Sequence, residues 1–297
     1  MNNPLPEAER LSKNLIESFL SPRALSVCGG KIEIFKTIDS TNTEAKRRLE
    51  LSQRRFAATQ HRFTERERRF TEREHRGSAM HGSVLIAEHQ SAGRGRLGKS
   101  FFSPERSGIY LSLVYIPEAS QVPDTSLFTP LAAVCVCRAL ENLGIESAIK
   151  WVNDVFVDGK KVCGILTEGC MGTNDSDLSA VIAGVGINLY EAESGFPEEI
   201  RNTAGCLPNG KSIDKNALTA SLISLMIDAF SGAADYRVLM EEYKNRSFIL
   251  GKTVTVISPR ETYEAEAVDI SGEGHLIVRD ASGTQRELLS GEISLRL

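Results

Sequence analysis

The sequence predicts an α/β (α+β) chain in two parts, a large domain over 1–248 and a small all-strand domain over 249–297. Apolar runs of strand length, such as Val84-Leu85-Ile86-Ala87 and Val181-Ile182-Ala183, are interspersed with longer stretches of helical period. After Gly251 the texture changes to short strand-like runs punctuated by Gly272, Gly274, Gly283 and Gly291, the pattern of a small barrel of five strands. The 297 residues, 41% hydrophobic and 25% charged, are enough to bury one large core and a small one.

Each element has its own signal. Residues 7–20 place Leu11, Leu15, Ile16 and Phe19 on one face of a short amphipathic helix. Residues 32–35 alternate as a strand. The polar run Asp39-Ser40-Thr41-Asn42-Thr43-Glu44 caps a helix that continues through Ala45 to Leu51. The stretch 53–80 reads as a charged insertion, in which Arg62-Phe63-Thr64-Glu65-Arg66-Glu67 recurs as Arg69-Phe70-Thr71-Glu72-Arg73-Glu74. Two copies do not make a repeat architecture. The arginines and glutamates suit either a solvated segment with internal ion pairs or a basic arm for an acidic partner. Residues 84–88 and 109–115 are buried strands, and 127–143 a helix ended by Gly144. A strand over 148–151 meets a polar break at Asn153-Asp154. Two short strands then form a hairpin around Asp158-Gly159-Lys160. Residues 181–188 form another buried strand and 214–246 two helices. The small domain follows, with strands over 253–257, 262–270, 275–279, 285–289 and 292–297.

Composition excludes several classes. A net charge of −4 leaves no whole-surface attraction for nucleic acid, so a polyanion site must be local. No apolar run reaches the roughly 20 residues of a spanning helix, and the first residues lack a secretion signal, so the expectation is a cytoplasmic protein. Cysteines 28, 135, 137, 163, 170 and 206 form no paired metal spacing and read as reduced, mostly buried thiols. The five histidines likewise show no metal spacing.

Chemistry concentrates at the edges of apolar strands. In Gly93-Arg94-Gly95-Arg96-Leu97-Gly98-Lys99, glycines let the backbone approach a ligand, and arginines offer planar donors for phosphate or carboxylate. The loop lies inside a folded domain, between Gln90 and a core strand. Small polar groups at Ser40, Thr41 and Asn42 open a helix. Lys150-Trp151-Val152-Asn153-Asp154 precedes Lys161, and Gly184-Val185-Gly186-Ile187-Asn188 ends a strand. Trp151 begins inside an apolar strand and reads as core.

The order and spacing of these stretches resemble the biotin–protein ligases, over about residues 32–297. The resemblance implies a mixed sheet like that of class II aminoacyl-tRNA synthetases, with a small SH3-like barrel at the C-terminal end. It implies a ligase that joins biotin to ATP as biotinyl-5′-AMP, then passes biotin to a lysine of a biotin carboxyl carrier domain. The co-substrates implied are biotin and ATP with Mg²⁺. Carried over by position, Ser40, Thr41, Asn42 and Gln90 would surround biotin, and Arg94, Gly95 and Arg96 would form a closing loop over it. Lys161 would contact the biotin carboxylate and share the catalytic role with Arg94 and Arg96. Phe101, Lys150, Asn153 and Asn188 would face the nucleotide, and Asp154 the metal-bound phosphates.

The residue types suit that reaction. A carboxylate attacking a phosphate needs fixed positive charge, and an acyl-adenylate needs water excluded. The chain departs from the family pattern at Val152, where proline is usual, at Ser100-Phe101, where a tryptophan often follows the loop, and in the length of 53–80. The few residues ahead of the first strand imply no DNA-binding domain. A homodimer through the sheet remains open, and membrane partners are not expected. A lipoate–protein ligase, or a non-enzymatic biotin-responsive binder, are the rival readings.

Overall fold

The computed structural model describes residues 10–60, 80–117, 125–171, 178–257, 261–289 and 292–295. A seven-stranded sheet organises the large domain in the order β1-β2-β3-β7-β6-β5-β4. Its strands are β1 (Ile32–Phe35), β2 (Val84–Ala87), β3 (Gly108–Tyr115), β4 (Ala148–Lys150), β5 (Asp154–Val157), β6 (Lys160–Met171) and β7 (Leu178–Asn188). β1 and β2 are parallel and the remaining pairs antiparallel, which makes the sheet mixed.

Alternation along the strands decides what each face carries. Val84, Ile86, Ile109, Leu111, Leu113, Ala183, Val185 and Ile187 point to the main core. Leu85, Val114 and Ile182 point the other way, against Ala45 and Leu49 of α3 (Thr41–Gln60). The main core is covered by α1 (Lys13–Phe19), α2 (Pro22–Cys28), α4 (Phe128–Glu141), α5 (Lys215–Phe230) and α6 (Tyr236–Arg246). α3 thus stands on the opposite face from the other helices and leaves part of that face open.

The first helix is shorter than its apolar pattern predicts, and a second follows it. Ser12 caps α1 by accepting from Leu15 N, and Ser21 caps α2 ahead of Pro22. Ser21-Pro22 is the signal the periodicity concealed. Ile16 is buried and Leu11 packs on the core, while Leu15 and Phe19, on the neighbouring stripe, are exposed. The predicted hairpin is present, with Asp158 and Gly159 as its central pair at φ 50° and 72°. Both residues in the left-handed region give the two-residue turn that fits strand twist, so Lys160 already belongs to β6. The predicted repeat over 62–74 lies outside the described residues.

The small domain is an antiparallel SH3-like sheet of five strands in the order β11-β10-β9-β8-β12. They are β8 (Thr253–Ile257), β9 (Thr262–Ile270), β10 (Leu276–Arg279), β11 (Gln285–Leu288) and β12 (Glu292–Leu295). Val254, Val256, Ala265, Ala267 and Val278 continue the main core without a break. A hydrogen bond from Trp151 Nε1 to Gly274 O (2.9 Å) ties this sheet to the end of β4. Among the described residues no helix is long and apolar enough to cross a membrane. All six cysteines are free. Burial pushes the Cys28 thiol up to about 12, and those of Cys137 and Cys206 to about 11. They are held protonated at neutral pH, as expected for packing thiols.

Candidate active site

The register of the sheet builds the floor of the site. Tyr110 of β3 faces Gly186 of β7, Gly186 faces Gly164 of β6, and Gly164 faces Asp154 of β5, which faces Lys150 of β4. The next row holds Ser112, Gly184 and Leu166. These rows lie on the face left open beside α3.

Two bulkier groups occupy the space the glycines leave. A Cβ at Gly186 would stand 2.4 Å from a ring carbon of Phe101, and one at Gly164 would stand 3.0 Å from another. Phe101 therefore lies directly on the sheet, with Tyr110 edge-on at 6.4 Å between centroids. A Cβ at Gly184 would stand 2.2 Å from Asn42 Oδ1. Glycine is needed at 184 and 186 for close approach, inside strands where it is otherwise unfavourable.

The start of α3 supplies the polar wall. Ser40, Thr41 and Asn42 are all nearly fully buried. Gln90 Oε1 accepts from Thr41 N (2.9 Å), and Gln90 Nε2 donates to Ser103 Oγ (2.9 Å). Ser112 Oγ lies 2.6 Å from Asn42 Oδ1 and 2.7 Å from Thr41 Oγ1. Asn42 Nδ2 donates to Leu166 O and to Glu168 Oε2, each at 3.1 Å. Both amide hydrogens of Asn42 are spent inside the protein. Asp39, which receives Arg47, holds the turn that presents the helix start. The backbone N–H groups of Ser40, Thr41 and Thr43 are satisfied within this turn, by Asp39 Oδ1, Gln90 Oε1 and Ser40 Oγ, so the wall is presented by its side chains.

The glycine–arginine loop arches over this wall. Arg94 pairs with Ser100 as an isolated bridge, and Gly95 N donates to Lys99 O (2.7 Å). At its tip Leu97 takes φ 54° and Gly98 φ 75°, and Leu97 is 71% exposed. Gly93 has a different reason to be glycine. A Cβ there would meet Phe101 O at 2.3 Å, where the two arms of the loop close on each other. From the loop Arg94 Nη1 reaches Glu168 Oε2 (3.0 Å), and Arg96 Nη1 approaches Asn153 Oδ1 (3.5 Å).

The far end is cationic and amide-rich. Lys161 Nζ lies 2.7 Å from the buried Asp154 Oδ1, an ion pair across β5 and β6. Lys161 is pinned by its backbone to Thr203 and Gly205, and Asn188 Nδ2 donates to Gly205 O (3.1 Å). Asn153 Nδ2 donates to Ile165 O (2.8 Å). The segment through Phe196, Ile200 and Thr203 completes the rim.

All the residues singled out from the sequence line one cavity of about 810 Å³: Ser40, Thr41, Asn42, Gln90, Arg94, Gly95, Arg96, Phe101, Lys150, Asn153, Asp154, Lys161 and Asn188. Lys99 lines it as well. Trp151 is buried, as predicted, but also reaches the wall. Sequence reasoning passed over Tyr110, Ser112, Ser103 and Glu168. Ser112, a hydroxyl in an otherwise apolar strand, was the one visible signal among them.

The large domain matches the model of the biotin/lipoate A/B protein ligase family over residues 57–188, and residues 249–296 match the biotin protein ligase C-terminal domain. The bifunctional ligase/repressor BirA of Bacillus subtilis is 30% identical over 226 residues, covering 73% of this chain and 67% of that protein. The chain belongs to the biotin protein ligase family. The ligase is also 28% identical to BirA of Escherichia coli, over 90% of this chain and 75% of that one. It is 29% identical to a biotin–[acetyl-CoA-carboxylase] ligase of Mycobacterium tuberculosis, over 73% and 80% of the two chains. In fold the ligase resembles the biotin protein ligase of Aquifex aeolicus solved with biotin and ATP, with TM-score 0.64 and 24% identity over 90% of this chain and 99% of that one. A mutant of the Aquifex enzyme with biotin gives TM-score 0.63 at 26% identity, covering 90% of this chain and 98% of the other.

Proposed function

We propose that this ligase condenses biotin with ATP to biotinyl-5′-AMP, releasing pyrophosphate, and then transfers the biotinyl group to a lysine of a carrier domain. The observation that carries the reading is the convergence of Arg94, Arg96 and Lys161 on one cavity from two separate elements, the loop and β6. The substrate carboxylate is the nucleophile and the α-phosphate its target, so two anions must meet. Fixed cations lower that barrier most effectively where water is excluded. The buried hydroxyl and amide wall around Ser40, Thr41 and Gln90 suits a neutral, hydrogen-bonding ring at the closed end. Phe101, Lys150, Asn153 and Asn188 suit the nucleotide at the other.

The residues around Asp154 fit Mg²⁺ only in one form. Among the described residues no group of three or more histidine, cysteine, aspartate or glutamate side chains could hold a metal. A single carboxylate beside amide oxygens fits an ion that arrives on the triphosphate, which is how Mg²⁺ is usually held. Asp154 and Asn153 are the residues that would meet it, and it would screen the phosphate charge. In the transfer step the acceptor lysine attacks the activated acyl carbon and AMP leaves, so the nucleophile comes with the partner. That partner is a biotin carboxyl carrier domain, and the free cysteines suit the reducing cytoplasm.

Biotin-dependent exchange of pyrophosphate into ATP, followed by ATP-dependent biotinylation of a carrier domain, tests the reading. Exchange is expected with biotin and absent with lipoate. Exchange with lipoate alone would replace it by the lipoate reading, and none with either would leave a binding protein.

A further inference from the structure

Glu168 occupies a position the reaction itself does not call on. It lies on the open face of β6, two residues beyond Leu166, and its side chain is 16% exposed. One of its carboxylate oxygens, Oε2, receives both Arg94 Nη1 from the loop (3.0 Å) and Asn42 Nδ2 from the start of α3 (3.1 Å). The same Asn42 amide continues through Ser112 to Thr41, and Thr41 reaches Gln90. A continuous polar chain thus runs from the loop, through Glu168, into the wall of the cavity.

We infer that Glu168 is a positioning residue that fixes the Arg94 guanidinium over the biotin site. The inference rests on the biotin-activating reading given above. A guanidinium has five N–H donors in a rigid fork. Glu168 takes one donor, at Nη1, which leaves the other donors for the cavity that Arg94 lines, without loss of the charge. The loop carrying Arg94 has its tip exposed at Leu97, so its own backbone bridge fixes the turn but not the arginine head. Anchoring that head before the substrate arrives removes part of the ordering cost of binding. A neutral amide at 168 would still accept from Asn42, whereas its weaker hold would free Arg94. Glu168→Gln therefore separates the loop from the wall.

The test uses the full chain. The wild type is first shown to catalyse biotin-dependent pyrophosphate exchange; no exchange there sinks the functional reading itself. In Glu168→Gln the KM for biotin is expected to rise about ten-fold, the size of a lost charge-assisted hydrogen bond. The kcat should change far less, and thermal unfolding should stay cooperative. In an Arg94→Ala background the same Glu168→Gln change should no longer move the KM, because the group it positions is gone. An unchanged KM in Glu168→Gln, or a KM increase that persists in full in the Arg94→Ala background, would overturn the inference while the functional reading stands. Should Glu168→Gln unfold, Arg94→Lys keeps the charge but loses the fork, and the same KM rise is expected of it. No rise in that variant would equally overturn it.

Discussion

Lys161 Nζ and Asp154 Oδ1 stand 2.7 Å apart, on neighbouring strands and at the end of the cavity proposed for the nucleotide. The pair does two things at once. It holds a flexible lysine in one rotamer, and it neutralises a half-buried carboxylate that would otherwise repel phosphate. Breaking such a pair from either side leaves the other charge uncompensated. Lys161→Ala is expected to reduce biotin-dependent pyrophosphate exchange by roughly a thousand-fold, the scale of a lost electrostatic contact to developing charge. Normal single-turnover adenylate formation in that variant would count against the assignment.

The loop arginine that approaches Asn153 has a different expected phenotype. Arg96 approaches Asn153, so it joins the loop to the strand break that follows Trp151. Arg96→Gly should leave the loop unable to close on the intermediate. Release of labelled biotinyl-5′-AMP into solution is then expected to exceed that of the wild type by about ten-fold or more. Equal release by the two proteins would argue that Arg96 does not act in closure.

The glycine floor gives a steric prediction. Gly186→Ala sets a methyl group 2.4 Å from the Phe101 ring, which must move off the sheet. Overpacking of this kind costs about 1–3 kcal/mol, and here the displaced ring enters the cavity. A lower Tm and a raised KM for ATP are expected together. The double variant Gly186→Ala with Phe101→Ala should recover most of the Tm loss but not the KM. A KM for ATP that stays at the wild-type value would mean the ring does not adjoin the nucleotide.

These glycines explain what sequence reading reached and what it missed. The glycine–arginine loop, Lys161 and the amides at 153 and 188 were legible because charge and glycine at a strand edge have few purely structural uses. Their meeting in one cavity depends on register, which local pattern does not supply. Glu168 is the clearest case. As the polar end of a strand it reads as ordinary, and only the pairing of β6 with β7 brings it beside Asn42 and Arg94. Likewise α2 was hidden because the apolar spacing of 11–19 continues in phase, and only Ser21-Pro22 marks the restart. The five short strands of the small domain were legible as elements, because glycine punctuates the runs between them.

Trp151 carries the next expectation. Its indole N–H donates to Gly274 O, and the residue is buried at the cavity wall. Trp151→Phe keeps the apolar area and removes the donor, leaving a buried carbonyl unsatisfied. A stability loss of about 1–3 kcal/mol in urea unfolding is expected. Because Lys150 and Asn153 lie on either side of Trp151 in the chain and line the same cavity, the KM for ATP should also rise. Loss of stability with ATP binding unaltered would confine Trp151 to a structural part.

The packing of α6 makes stability depend on acid in a defined direction. Burial works against the charge on Glu242, but hydrogen bonds from Arg138 (2.6 Å) and Arg246 (2.8 Å) outweigh it and hold its carboxyl below the usual range. A carboxylate depressed in the folded state contributes stability that is fully present above its unfolded pKa. That contribution is lost as pH falls through the folded value. The same holds for Asp269, held down by Lys244 at 2.5 Å where α6 meets β9. Tm is therefore expected to be flat with respect to these groups at neutral pH and to drop below about pH 4.5. In Glu242→Gln the Tm at neutral pH should be lower and the acid drop shallower, because the group that titrates is gone. A variant whose acid limb keeps the full wild-type slope would show that other carboxylates, and not the α6 network, set the acid sensitivity of the fold.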